Sequence, residues 1–252
     1  LGGNADFTYG VTNTDTSMLN QTLFGKKKIG PIPRLFKVLD TKPFLAQKLS
    51  HEPLSKILSL IPNTLLQWRY PESLVIPDGM HIKQIDRFDE RFDTFWQQIK
   101  EDYPIMTVRD SSYLNWRYGD AKHMNHEVFC LERMATSEIV GFIALGERQR
   151  DFLVGQIYDI LTPRRKDPMI TRCLLRFAIN RFRQKKAAVA RCWMFPHSHV
   201  YPELIKIGFV PRERKGFDLH CQYVNVKNSA IPADIVEDSE NWYLSIGDAD
   251  MG

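Results

Sequence analysis

Residues 155 to 185 read GQIYDILTPRRKDPMITRCLLRFAINRFRQK, and this stretch decides the fold. Its apolar run from Gly155 to Leu161 predicts a buried strand, and a basic loop follows directly. Asp167 is placed to cap a helix that begins at Pro168 and runs to about Lys185. Six apolar side chains follow helical spacing on one face of this helix: Ile170, Cys173, Leu174, Phe177, Ala178 and Phe182. A strand, a loop and a helix in this order predict an α/β domain.

The sequence on both sides extends this alternation. Upstream it predicts a strand at His81 to Ile85, helices at Asp89 to Asp102 and Asp110 to Tyr118, and a hairpin of Glu127 to Arg133 with Ile139 to Glu147. Downstream it predicts a strand at Val189 to Met194, a short helix at His199 to Ile207, and a pair of strands at Phe209 to Pro211 and Leu219 to Val226. The predicted fold is therefore a mixed α/β sheet with helices packed on it.

The chain divides into four parts at composition changes. They are an N-terminal unit (1–40), a connector with several prolines (41–78), the main domain (79–228) and an acidic tail (229–252). Tyr9 to Pro33 and Trp193 to Arg212 share the order of strand, short helix and basic strand. Residues 1–40 are therefore predicted to be the C-terminal remnant of an incomplete first copy of the domain, with chance similarity as the alternative. Trp242 and Leu244 predict a tail that docks on the body.

Charge is distributed unevenly along the chain. The net charge of the whole chain is +4, whereas the first 228 residues carry +10 and the tail carries only acids. Leu161 to Arg191 holds ten basic residues and one acid, Asp167. This strong local field predicts an anionic partner, although a solvated helix face is an equal alternative. Nucleic acid is disfavoured because exposed aromatic residues do not alternate with these charges.

Cysteine and histidine patterns bear on location and metal binding. The cysteines are widely spaced and lie mostly in apolar runs, which predicts buried reduced thiols and a cytoplasmic location; they are Cys130, Cys173, Cys192 and Cys221. No apolar run reaches the length of a membrane span. His197 and His199 are two residues apart, but no nearby Cys, Asp or Glu completes a tetrahedral set, so no metal site is predicted.

The element order, with Ile207, Gly208 and Phe209 after a short helix, resembles the GNAT superfamily of acyltransferases over about residues 81 to 226. The resemblance implies that two central parallel strands splay apart and bind acetyl-CoA or a longer acyl-CoA. It implies transfer of the acyl group to the amine of a small-molecule acceptor. Family members with two tandem copies and an altered phosphate-binding loop are often bacterial. Several of them act near surface polysaccharide synthesis, so the resemblance makes an amino sugar a candidate acceptor.

The resemblance also assigns roles to residues. The loop and the start of the central helix are implied to hold the cofactor through positive charge and helix N–H dipoles, which selects Leu161, Thr162, Arg164, Arg165, Lys166 and Met169. Asp159 is the candidate general base, with a structural carboxylate as the alternative. Tyr201 is the candidate acid. The acceptor side is implied to include Tyr113, Trp116, Arg117 and His197, although core packing is the alternative for the helix of the first three.

Several positions depart from the family pattern. Asp167 and Met169 stand where the family's phosphate loop has small residues, and Pro168 lacks an amide donor. Leu204 stands where family members often have the tyrosine that acts as the general acid, and His197 stands where they have an Asn further upstream. These departures favour the alternative function, a non-catalytic module of the same fold that binds an anionic partner.

Overall fold

The described residues, 6–49, 52–70, 73–120, 125–164, 168–223 and 231–249, form ten strands and eight α-helices in a computed structural model. The strands are β1 (Phe7–Asn13), β2 (Lys27–Val38), β3 (Met80–Ile85), β4 (Ile105–Met106), β5 (Glu127–Arg133), β6 (Ile139–Gln149), β7 (Leu153–Leu161), β8 (Val189–Trp193), β9 (Val210–Tyr223) and β10 (Trp242–Tyr243). The helices are α1 (Thr14–Phe24), α2 (Lys42–Leu49), α3 (Glu52–Arg69), α4 (Glu90–Ile99), α5 (Ser111–Leu114), α6 (Pro168–Gln184), α7 (Val200–Lys206) and α8 (Ala233–Glu237).

Eight strands form one mixed sheet in the order β1-β9-β2-β8-β7-β6-β5-β3. Its neighbouring strands are antiparallel except for β7 and β8, which are parallel. The predicted mixed sheet is therefore confirmed, and so is the predicted hairpin, which is β5 with β6. β4 and β10 form a separate parallel pair.

Helix α6 packs directly on β7, as the sequence pattern predicts. It begins at Pro168, and most of its apolar stripe is fully buried. A Cβ atom added at Gly155 would lie 2.4 Å from the Phe182 ring, so the glycine lets the helix approach the sheet closely. This contact holds the last turn of α6 against the first part of β7. The predicted cap, Asp167, lies outside the described residues.

The N-terminal unit is part of the same sheet as the main domain. β2 lies between β8 and β9, and β1 forms the edge beyond β9. The predicted strand pair Phe209 to Pro211 with Leu219 to Val226 is wrong. β9 is one strand from Val210 to Tyr223, because β1 and β2 occupy its two sides and take up its main-chain hydrogen bonds. The origin of residues 1–40 in a first copy of the domain stays a prediction.

The connector is helical and packs on the sheet region. Helices α2 and α3 make up most of the connector, and the rings of Phe44 and Phe152 lie 4.7 Å apart. Gly208, which has a φ of +92°, ends α7 where a Cβ atom would meet the Tyr70 ring at 2.8 Å. Only glycine combines this backbone conformation with this contact.

The tail and the thiols are buried, as predicted. Trp242 is 1% exposed and Leu244 is 2% exposed, so the tail docks on the body through these two residues. All four cysteines are free and buried. None of the described helices combines the length and hydropathy needed to cross a membrane.

Candidate functional site

The two parallel strands at the centre of the sheet diverge after a short contact. β7 and β8 pair at Val154 with Val189, Gly155 with Ala190 and Gln156 with Arg191, and the pairing ends there. β7 continues to Leu161, whereas β8 continues only to Trp193. We call the opening between residues 157–161 and residues 192–193 the wedge. A wedge between parallel strands exposes main-chain groups to a ligand at the C-terminal ends of the strands.

The C-terminal tail occupies this wedge. The Tyr243 hydroxyl donates a hydrogen bond to the main-chain oxygen of Ile160 on β7. His197 Nε2 donates to the main-chain oxygen of Trp242 at 2.8 Å. Burial raises the pKa of Tyr243 well above its usual value, and nearby Asp159 on β7 acts in the same direction, as does Cys192 on β8. Tyr243 therefore lies between the two strands.

A buried charge cluster lies beside the wedge. The Arg109 side chain is 1% exposed, and its Nη2 donates to Asp248 Oδ2 at 2.7 Å. Its Nε donates to Asp159 Oδ2 at 3.2 Å, and its Nη1 donates to the Thr107 carbonyl at 2.8 Å. Tyr118 also donates to Asp159 Oδ2 at 3.2 Å. The cluster joins β7, the segment before α5 and the tail through one guanidinium group.

Burial sets the proton affinity of Asp159. The pKa of Asp159 is raised, mainly because a buried carboxylate loses its hydration, while Arg109 partly opposes this shift. A carboxylate with a raised pKa is a stronger proton acceptor than an exposed one. Asp159 is 1% exposed, however, so with the tail docked it is closed off from solvent.

Three of the residues assigned to the acceptor side line one cavity of about 500 Å³. Helix α5 continues as a π-helical turn, Asn115–Gly119, which turns Trp116 and Arg117 toward the cavity beside Tyr113. Arg117 Nε donates to the Gly247 carbonyl at 2.7 Å, and its Nη2 donates to the Ala249 carbonyl at 2.8 Å. The fourth, His197, bonds the tail instead. The core alternative holds for neighbouring Leu114 and Tyr118, which are buried.

A hydrogen-bonded chain connects the end of β7 with the residues directly before α7. His199 Nε2 bonds Thr162 Oγ1 at 2.8 Å, and His199 Nδ1 bonds the Tyr103 hydroxyl at 3.0 Å. Thr162 in turn bonds Thr171 in α6 at 2.7 Å, and Tyr103 donates to Ser198 at 3.2 Å. The rings of Tyr103 and Tyr243 lie 4.9 Å apart, so the chain borders the filled wedge.

We expect His199 to make folding stability depend on pH. Burial lowers the pKa of His199 to about 4 from an ordinary value of 6.5, so the folded state favours the neutral ring. Its contribution is therefore present above pH 6.5 and is lost as pH falls through 4. The difference in unfolding free energy between the natural protein and His199→Gln should shrink by about 3 kcal/mol from pH 7 to pH 4. Urea titrations at several pH values measure it, and a constant difference would contradict the expectation.

The basic loop is only partly described, and its neighbours use their charges internally. Arg165 and Lys166 lie outside the described residues. The Arg164 amide donates to Asp102 Oδ2 at 2.8 Å, and its guanidinium lies 5.0 Å from the Tyr103 ring centre. On α6 and directly after it, Arg172 pairs with Glu203, and Arg181 and Lys185 pair with Glu127. These three positive charges are thus matched by acids of the same chain.

The remaining predicted residues lie around the wedge in different ways. Leu161 and Thr162 are buried at the end of β7, and Met169 lies in the first turn of α6. Tyr201 is half-buried in the first turn of α7, and its hydroxyl makes no hydrogen bond to another described residue. Asp159 and the acceptor-side cavity are joined by the Arg109 cluster, whereas no described contact joins Tyr201 to them.

Sequence reasoning did not find Arg109, Tyr103 or the role of Tyr243. Arg109 stands in a short segment between two helices, where an arginine carries no pattern of its own. Tyr103 follows a predicted helix end, and the predicted docking of the tail rests on Trp242 and Leu244, not on Tyr243. Their partners lie between 50 and 139 residues away along the chain, so only the folded structure brings them together.

Similarity to known proteins is found in structure alone. No protein-family model matches the sequence, and no curated protein matches it. Saccharomyces cerevisiae N-myristoyltransferase with bound myristoyl-CoA and inhibitors is 12% identical with a TM-score of 0.51, over 86% of this chain and 52% of that one. A second structure of that enzyme with myristoyl-CoA is 12% identical with a TM-score of 0.50, over 78% and 48%. The chain therefore spans about half the length of the yeast enzyme.

A GCN5-related N-acetyltransferase from Sphaerobacter thermophilus is 10% identical with a TM-score of 0.48, over 86% of this chain and 60% of that one. The element order, the parallel strand pair that diverges and the helix after β7 define the fold class. The chain has the GNAT-like fold that the resemblance implies, and it shares this fold with the two N-myristoyltransferase structures.

Proposed function

We propose that the protein is an acyl-CoA-dependent N-acyltransferase that uses the wedge for its cosubstrate. The observation that carries the proposal is the divergence of β7 and β8 directly before the start of α6. Divergent strands offer main-chain groups to the amides of a pantetheine arm, and a helix start offers N–H dipoles to phosphate. Acyl-CoA supplies the acyl thioester, and the chain supplies binding, orientation and proton transfer.

The residues around the wedge support a division of roles. We place the amine acceptor beside the charge cluster, on the body side of the cavity at Tyr113, Trp116 and Arg117; the tail forms the opposite wall with Gly247, Asp248 and Ala249. Asp159 is the proposed base, since its raised pKa suits proton removal from an attacking amine. An amino sugar remains the proposed acceptor, and the cavity volume of about 500 Å³ is large enough for a small molecule of that class. Tyr201 stays a candidate acid on sequence grounds alone.

Arginines of the basic loop should bind the phosphates of CoA. We expect the double variant Arg164→Ala with Arg165→Ala to lose about tenfold or more in affinity for acetyl-CoA, because each lost cation removes a charge-assisted contact. The dependence of affinity on salt should also become flatter. Isothermal titration calorimetry at two salt concentrations measures both effects.

The matched control is Arg148→Ala with Arg150→Ala, which removes two positive charges at the opposite end of β7. This control should leave affinity within about twofold, because those arginines lie far along the strand from the helix start. Equal losses in the two double variants would mean that net charge, and no phosphate site, governs binding.

One observation favours the second candidate function, a non-catalytic module of the same fold. The wedge is filled by Tyr243 and its neighbours, which are almost fully buried. A permanently filled wedge would leave the protein as an interaction module. Internal pairing of Arg172, Arg181 and Lys185 argues against an anionic partner for α6, however. Calorimetry with acetyl-CoA and longer acyl-CoA, on the intact protein and on protein from which the tail has been removed, separates the two functions, since a module would bind none of them in either form.

A further inference from the structure

We infer that the tail segment Trp242–Ala249 and acyl-CoA compete for the wedge, so that the tail is a built-in inhibitor. This inference rests on the acyltransferase function proposed above. The tail of the same chain occupies the wedge between β7 and β8, where the cosubstrate would bind. Release of the tail is then a condition for binding of acyl-CoA.

The tail uses the main-chain groups that a pantetheine arm would need. The hydroxyl of Tyr243 donates a hydrogen bond to the carbonyl oxygen of Ile160 on β7. Two residues earlier on the same strand, the carbonyl oxygen of Tyr158 faces Gly247, where an added Cβ atom would lie 3.2 Å from it. The tail therefore covers the edge of β7 along the wedge, and both ligands cannot use this edge together.

The contacts that hold the tail allow it to dissociate while the large sheet stays intact. β10 pairs with only two residues of β4, so few main-chain hydrogen bonds hold it. Side chains of the body provide the other polar contacts: Arg117 to the carbonyls of Gly247 and Ala249, Arg109 to Asp248, and His197 to the carbonyl of Trp242. Along the described part of the chain, no strand of the large sheet follows the segment. A segment of this kind can leave without dismantling the sheet.

Apolar burial keeps the tail docked in the resting protein. Four of its side chains are at most 2% exposed: Trp242, Tyr243, Leu244 and Ile246. The Trp242 ring also lies 5.4 Å from Tyr9 and 5.8 Å from Phe7 in edge-to-face geometry. The open form is then a minor state, and the apparent affinity for acyl-CoA falls by the fraction of open molecules.

A single glycine allows the tail to be released by substitution. A Cβ atom at Gly247 would lie 2.1 Å from the Tyr118 hydroxyl, so Gly247→Val should prevent the last turn of the tail from docking. The matched control is Gly30→Ala, whose Cβ atom would meet Ser239 at an ordinary 3.7 Å. We expect acetyl-CoA to bind Gly247→Val at least about tenfold more tightly than the natural protein, with the control unchanged.

A second route does not depend on that variant folding. A protease site inserted between Tyr223 and Ile231 allows the tail to be cut after the whole chain has folded. We expect cleavage and removal of the tail to raise acetyl-CoA affinity about tenfold or more, and a synthetic peptide of residues 231–249 to reverse the gain by competition. Calorimetry on the intact, cleaved and peptide-supplemented protein measures these steps.

The outcomes separate the inference from the proposed function. Tighter binding after release, reversed by the peptide, supports both. Equal binding by intact and cleaved protein overturns the competition and leaves the acyltransferase function standing. Absence of binding in every form, while the peptide still associates with the cleaved body, overturns the proposed function and with it the inference.

Discussion

Replacement of Arg109 by Met is expected to lower the unfolding free energy by about 3 to 5 kcal/mol. The guanidinium is 1% exposed and lies between Asp159 and Asp248, whose side chains are equally buried. Without it two carboxylates would face each other in a medium that solvates neither. Urea unfolding followed by tryptophan fluorescence measures the change. The tail should loosen as well, because Asp248 loses its partner.

An exposed ion pair provides the control for this prediction. Arg133 pairs with Glu138, and their side chains are 42% and 37% exposed. Arg133→Met should therefore cost less than about 1 kcal/mol. The double variant Arg109→Met with Asp159→Asn should recover part of the lost stability, since it removes one unpaired charge. If Arg109→Met lost no more stability than Arg133→Met, the buried ion pairs of Arg109 with Asp159 and Asp248 would not stabilise the fold.

Replacement of Asp159 by Asn is expected to lower turnover by about a hundredfold or more per folded molecule. Asn keeps the shape of the side chain but cannot accept the proton of an amine. The sequence alone predicts little change in stability. The structure alters that half of the expectation, because Asp159 is an ion partner of buried Arg109, and we expect a loss of about 1 to 3 kcal/mol. Release of the CoA thiol with a panel of amino sugars measures turnover.

The comparison variant is Asp248→Asn, which removes the carboxylate on the other side of the same guanidinium. It should cost similar stability. Its turnover should fall far less than that of Asp159→Asn, because Asp248 only borders the acceptor cavity and is not the proposed base. Equal losses of turnover in both variants, with equal losses of stability, would make Asp159 a structural carboxylate and favour the non-catalytic module.

Local sequence patterns predicted most of the fold. The strand of residues 155–161, the helix that begins at Pro168 and the hairpin of β5 and β6 depend on periodicity and capping within single segments. Asp110, the first residue of a predicted helix, caps α5 by accepting a hydrogen bond from the Tyr113 amide at 2.8 Å. Such features are decided by neighbours a few residues apart, which is why the sequence shows them.

Strand order and the site itself depended on contacts between distant segments. The sequence predicted a pair of strands where the structure has the single strand β9. β9 is continuous because β2 of the N-terminal unit lies between β8 and β9 and supplies its hydrogen-bond partners. Asp159 was found from the sequence as a carboxylate in an apolar strand, but its partners Arg109 and Tyr118 were not. Ion pairing and side-chain hydrogen bonding depend on distance in space, which a local pattern does not encode.

The sequence by itself determined the class of fold, the position of the central helix and the docking of the tail through Trp242 and Leu244. These follow from apolar spacing, since side chains that repeat with a helix or strand period must be buried together. Only the tertiary structure decided that Tyr243 fills the wedge and that Arg109 joins the tail to β7. The apolar residues of the tail require burial but do not specify where. The tail docks in the wedge because diverging strands leave main-chain groups that need partners.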